Sequence, residues 1–326
     1  MPVLLSNPLF PETDNPLTSV EVPIIPPNSL RGAFRRACAG VVFDAIKESD
    51  PNGRIDRMTY HSMMCGSPTA SPDGKVTLDD IVHAQKDPFL SLFGGGPRML
   101  TSGYRVMPGW PKYRFMIDQG IIPFQNDETI TPLTVEPRRS GMLFTGVLAF
   151  AKVDDLTRFS DPKACESVKE YEKAVAEWMG DVSRSQEKRA AQRKEKTKGE
   201  DAEKKMGLAS LNCVEFIPPG TPFWSEVIFS PYLTPAAIGL FLLGLQRWLN
   251  KQSIGGWGRA GFGRFDALVK CEGVALFDKT TGSFTATDPA EELIAKWKEE
   301  SKKIKPNILD ELHAPAKNKD KKDAEL

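Results

Sequence analysis

Net charge is the first thing this sequence lacks: 43 Lys and Arg balance 43 Asp and Glu over 326 residues. No global field draws in nucleic acid or an anionic membrane, so any contact with phosphate has to come from local groups of Lys and Arg. Cysteine is sparse and unpaired. Cys38, Cys65, Cys165, Cys213 and Cys271 lie far apart with no C-x-x-C, which argues against a disulfide framework and a zinc knuckle and fits a reducing, cytoplasmic compartment. Histidine is scarcer still: His61 and His83 fall in a helical stretch and His313 in the C-terminal tail. With no H-x-x-x-H among them, neither a histidine-based nuclease nor a metal site is expected. No G-x-S-x-G elbow and no Walker G-x-x-x-x-G-K-[ST] loop occurs. The N-terminus carries no basic segment followed by an apolar one. The most apolar run, 236–245, is about half of what a bilayer crossing requires, so a soluble protein without a membrane partner is expected.

What is present is an alternation of helical and extended patterns. The first thirty residues are rich in proline, and each proline also restricts the residue before it, so strands and turns are expected there. From Asn28 or Ser29, either of which would serve as N-cap, Leu30, Phe34, Ala37, Val41 and Ala45 form one helical stripe. The same helix carries Arg31, Arg35 and Arg36. Residues 46–90 read as a helical insertion, 101–140 as a mixed stretch with hairpin-like turns, and 141–153 as a strand. Residues 162–206 read as a long charged helix. Between Arg184 and Lys205 it has nine basic and five acidic residues, a solvated surface in the ordinary reading. Strands return around the proline turn of 212–230. Thr234 and Pro235 then cap and open a buried helix, and a glycine-rich segment leads into strands over 265–277. A last helix over 289–303 precedes a polar tail.

The glycine-rich segment, "IGGWGRAGFGRF" (254–265), contains G-x-G-x-x-G as Gly256-Trp257-Gly258-Arg259-Ala260-Gly261. A dinucleotide fold needs a strand before those glycines and a helix after them, because the helix N-terminus holds the pyrophosphate. Here a helix precedes and a strand follows, so the nucleotide reading fails and no cofactor is expected. A mobile backbone set with Trp257, Arg259, Phe262 and Arg264 can present N–H groups, charge and rings to RNA. A tight turn between helix and strand accounts for the same residues equally well.

Two further segments bear on that choice. "IIPPNSLRGAFRRA" (24–37) resembles the I-P-G-S-S-L-[KR]-G-x-x-R signature of the RAMP superfamily of CRISPR-associated proteins, and "SLFGGGPRML" (91–100) resembles its L-F-G element. "IGGWGRAGFGRF" is similar to its C-terminal glycine-rich loop, and the three occur in the expected order. Size and motif set are most similar to the backbone subunit that polymerises along the guide RNA in class 1 effector complexes, the wording being nearest the type IV version. The resemblance implies an α+β fold: a modified ferredoxin-like (RRM-type) palm with helical finger and thumb insertions. The palm would begin in 1–45, continue in 91–153 and close in 209–287. The finger would be 46–90, the thumb 104–140 or 154–208, and 288–326 a C-terminal helix and disordered tail.

The same resemblance implies a non-catalytic RNA-binding role. Asn28, Ser29, Arg31, Arg35 and Arg36 would contact the guide backbone, with Arg98 beside the L-F-G element. Gly255, Gly256, Trp257, Arg259, Phe262 and Arg264 would do so from the glycine-rich loop. Partners would be the CRISPR guide RNA, a complementary DNA or RNA target, further copies of the chain arranged head to tail, and other effector subunits. Type III relatives cleave target RNA with an Asp before the signature. Asp14 is the candidate here, although an Asx-turn before Asn15-Pro16 explains it as well. Pro27-Asn28 stands where the family has Gly-Ser, which stiffens the turn into the helix.

Overall fold

The structure, a computed structural model, describes residues 3–7, 20–66, 78–95, 100–118, 120–123, 146–151, 169–173, 176, 211–255 and 261–313. Strands β1 (Val3–Asn7) and β2 (Val20–Ile24) form an antiparallel pair with Val3 opposite Ile24. The chain turns at Pro26 into α1 (Pro27–Ser49), which starts earlier than the sequence reading placed it: Pro26 is the N-cap and Pro27 the first helical residue. Proline has no N–H to leave unbonded there, so the helix begins at no cost in hydrogen bonds. Asn28 and Ser29 become exposed first-turn residues instead of caps. Leu30, Phe34, Val41 and Ala45 of the expected stripe are buried.

The 46–90 insertion contains α2 (Arg57–Cys65) and α3 (Leu78–Gln85). Next comes α4 (Pro88–Phe93), whose N-cap Asp87 accepts the Leu90 N–H at 2.7 Å. Strands β3 (Tyr104–Val106) and β4 (Trp110–Pro111) open the 101–140 stretch, of which 124–140 lies outside the described residues. They pair with β8 (Val227–Phe229) and β7 (Phe223–Trp224), more than a hundred residues onward. Val106 faces Val227 while Trp110 faces Trp224, so three residues on one strand span two on the other, a bulge within one long ribbon. Ile25 bridges Gly109 and brings β2 against that ribbon. Over it, α5 (Arg114–Asp118) closes a small core of Val22, Tyr113, Met116, Ile117 and Ile122.

The 141–153 strand appears as β5 (Gly146–Ala151), paired with β6 (Leu211–Phe216) from Gly146↔Phe216 to Ala151↔Leu211. The chain therefore leaves and re-enters 152–210 at adjacent points. Most of the long charged helix expected over 162–206 lies outside the described residues. The β3–β8 ribbon packs on the helices: Tyr104 and Phe229 both press on Phe241 of α6 (Pro235–Lys251).

Helix α6 is the centre of the molecule. Its N-cap Thr234 accepts from Ala237 N–H at 3.2 Å, as the sequence implied. It lies between α1 and α7 (Asp288–Ser301), with a glycine on each contact face. A Cβ on Gly239 would sit 2.0 Å from the Leu293 carbonyl oxygen, and one on Gly244 would sit 2.3 Å from Cys38 Sγ. Both glycines weaken the helix by about 1 kcal/mol apiece. The close approach they permit buries Leu240, Phe241, Leu245, Leu249 and Trp297, each contributing about 1.5–3 kcal/mol.

After the glycine-rich segment come two short hairpins, β9 (Lys270–Cys271) with β10 (Val274–Ala275) and β11 (Phe277–Thr280) with β12 (Ser283–Ala286). Beyond α7 lies α8 (Pro306–His313), where the sequence reading had only a tail from His313. His313 is buried, with Nδ1 at 2.9 Å from Ser62 Oγ on α2. Asp310 accepts from the Thr59 hydroxyl, the Asp56 N–H and the Lys169 ammonium. The architecture is α+β. Its described strands pair two by two, and no continuous four-stranded palm sheet forms among them. No described helix is long and apolar enough to cross a membrane.

Candidate nucleic-acid interface

The three glycine- and arginine-bearing segments meet around the first half of α1. From the second segment, the Phe93 carbonyl accepts a hydrogen bond from Arg31 Nη2 at 2.9 Å. From the third, Phe265 lies tilted against Trp248 of α6 with ring centres 4.5 Å apart, and Trp248 in turn meets Phe34 of α1 edge-on at 5.1 Å. Segments 60 to 220 residues distant in sequence are thus joined to one helix by one charged hydrogen bond and one aromatic cluster.

The arginines of α1 divide by helical position. Arg36 is exposed, and its Nη1 folds back over Gly32, where an added Cβ would lie 3.3 Å from it. Helical side chains lean toward the N-terminus, so this places charge along a line Ser29–Gly32–Arg36 at i, i+3, i+7 spacing. Asn28 and Ser29 lie at the positive end of the helix dipole, where N–H groups and partial charge favour an anion.

Arg31 is half-buried, its guanidinium 5.7 Å from the centre of the Tyr104 ring. Arg35 is buried. Its Nε and Nη2 each donate at 2.9 Å, to the carbonyls of Met63 and Ser62 at the end of α2, and its guanidinium faces the rings of Phe89 and Phe93 at 5.4 and 5.5 Å. Burial lowers its pKa to about 10, with Tyr104 raising it and Arg31 lowering it by smaller amounts. It remains charged at neutral pH. Tyr104 is buried as well, and desolvation pushes its phenol upward. Two nitrogens of the Arg35 fork are thus engaged inside the protein.

The glycine-rich segment is a loop closed at its base. Ser253 bridges Arg264, the Ile254 N–H donates to the Gly263 carbonyl at 2.9 Å, and Trp248 Nε1 donates to the Ser253 carbonyl at 3.1 Å. Gly263 has φ +73°, and a Cβ there would fall 1.7 Å from the Ile254 oxygen, so no other residue fits. Gly255 and Arg264 are exposed, whereas Phe262 is half-buried against Phe216 at 5.7 Å, where the β5–β6 ribbon begins. Among the described residues the segment leads into β9 and not directly into a helix, the reverse of the order in a dinucleotide-binding fold. Gly256, Trp257 and Arg259 lie outside the described residues, as do Arg98 and Asp14.

With the geometry in place, comparison adds one finding: a family model described as the RAMP superfamily matches residues 7–266. The chain belongs to the RAMP superfamily. No curated protein matches it significantly. Membership makes it a CRISPR-associated protein of a family whose members are mostly RNA-binding, some of them nucleases. The segments that resembled RAMP motifs in the sequence all lie inside the matched span.

Sequence reasoning missed the aromatic half of this arrangement. Phe89 and Phe93 stand at i, i+4 in "DPFLSLF", a spacing that puts both on one face of a helix, and this could have marked them as a platform. Tyr104 and Trp248 carried no comparable signal.

Proposed function

We propose that this RAMP protein is the multi-copy backbone subunit of a type IV-like CRISPR effector complex, and that it polymerises along the guide RNA without cleaving it. The observation that carries the proposal is the convergence of the three motif segments on one end of α1, beside an exposed line of small and basic residues. A phosphate chain laid along Asn28, Ser29, Gly32 and Arg36 would run at the end of α1 that Trp248 and Phe265 tie to the base of the glycine-rich loop, where Arg264 is exposed. Glycine at 255 leaves room for a backbone to come close, and contacts of this kind do not depend on base identity. A subunit that must cover varied guide sequences needs that independence. Identical subunits contacting head to tail generate an open helix, and the balanced charge lets neighbours stack without strong repulsion. The partners would be the guide, a complementary DNA or RNA strand, and other effector subunits.

The test is to purify Arg36→Glu combined with Arg264→Glu and look for a discrete small RNA. Both residues are exposed, so the variant should melt near the wild type while losing the RNA that the wild type carries. RNA at wild-type yield overturns the proposal. The pair Arg31→Glu and Arg35→Glu is a poor choice, because a carboxylate at position 35 would be buried against two carbonyls.

A further inference from the structure

We infer that Arg35, a basic residue of the motif helix, is a positioning residue for the RNA face and not a phosphate contact. The inference rests on the RNA-binding reading above. The guanidinium touches three elements at once. It belongs to α1, it completes the C-terminus of α2 by donating to the Ser62 and Met63 carbonyls, and it lies against the two aromatic rings of α4. A cation at a helix C-terminus is favourable, and so is a guanidinium on an aromatic face.

Beyond Arg35 the connections run to the surface. Phe93, whose ring faces Arg35, supplies the carbonyl that holds Arg31, and Phe93 meets Tyr104 edge-on at 5.3 Å beneath the same Arg31. Arg35 thereby sets where α4 ends and where Arg31 is held relative to the exposed line on α1. On the far side, Ser62 carries the hydroxyl at 2.9 Å from His313, so the C-terminal helix braces the same junction. With the residue only 8% exposed and Nε and Nη2 bonded to α2 carbonyls, a phosphate reaches neither of these two nitrogens without displacing α2.

The salt dependence of RNA binding separates the two roles. A phosphate contact contributes about one unit to the slope of log K against log salt, whereas a positioning residue contributes affinity without slope. Wild type, Arg35→Lys and Arg35→Gln would be titrated with a fluorescent single-stranded RNA across a salt series, with folding checked by thermal melt. Lysine keeps the charge but cannot form the fork. Both variants should bind about tenfold more weakly with the wild-type slope, a loss in line with one charged hydrogen-bond pair. Wild-type affinity in Arg35→Lys, or a slope lower by about one in Arg35→Gln, overturns the inference. So does unchanged affinity in folded variants, which would make Arg35 a packing residue alone. Should the Arg35 variants fail to fold, Phe93→Leu decides, since it keeps both arginines and the residue-93 carbonyl. It should weaken RNA binding at constant slope, and full affinity in that variant overturns the inference. A wild type that binds no RNA fails the functional proposal itself, an outcome distinct from any of these.

Discussion

Helix α6 and the loop that follows it both rely on glycine, for opposite reasons. In the helix, Gly239 and Gly244 stand where neighbouring chain leaves no space, with a carbonyl oxygen and a thiol occupying the positions their Cβ atoms would take. In the loop, Gly255 has nothing within 4 Å of where a Cβ would be, and φ is +88°. The helix glycines face inward and hold the core together. The loop glycine faces solvent, in a shape other residues resist, beside an exposed arginine. Of the two uses, only the second leaves backbone open to a ligand.

The largest effect should come from breaking the inward use. Gly239→Ala places a methyl group 2.0 Å from the Leu293 carbonyl oxygen, a backbone atom that cannot rotate away. Although alanine is the better helix former by about 1 kcal/mol, overpacking at this contact should win and cost about 3 kcal/mol net, read from denaturant melts. An unchanged midpoint would mean that α7 slides freely on α6. RNA affinity of the folded fraction should not change.

Gly263 combines both uses. It needs φ +73° and would place a Cβ 1.7 Å from the Ile254 oxygen, at the hydrogen bond that closes the loop. Gly263→Ala should cost about 2 kcal/mol locally and open the loop base. RNA binding should then fall while the α1–α6–α7 core melts near its usual temperature. Hydrogen exchange at Ile254 is the direct measurement, since its N–H loses its acceptor.

How much of this could be read in advance follows from how local each feature is. The capped start of α6 and the burial of the α1 stripe both depend on neighbours within a turn or two, and these were legible. The ribbon of 104–111 with 223–229 was not, because strand pairing across more than a hundred residues leaves no periodicity in either segment. Arg35 shows the same limit at the site. Its motif position marked it for RNA, but the acceptors that draw it inward, the Ser62 and Met63 carbonyls, are backbone atoms that any sequence would supply. Helix α8 was hidden in another way. Its few apolar positions do not separate "PNILDELH" from the polar tail beyond it, and only contacts with distant elements, Leu312 with Ala84, Leu90 and Leu100 and His313 with Ser62 and Phe89, give this helix a reason to be buried.

The smallest effect on stability, and the most informative about function, should come from Gly255. With space around it, Gly255→Ala meets only the strain of a positive φ, about 1 kcal/mol. Gly255→Asn should cost less in the free protein, because asparagine tolerates that backbone region better than alanine. If the glycine serves conformation alone, RNA affinity follows the same order, with asparagine nearer the wild type. If an RNA backbone comes up against the loop, the order reverses: asparagine, the larger side chain, binds worse although it folds better. Melts and RNA titrations of the two variants side by side distinguish these outcomes, and we expect the reversal. Equal affinities in both variants and the wild type would remove Gly255 from the interface and leave Arg264 and the α1 line to carry it.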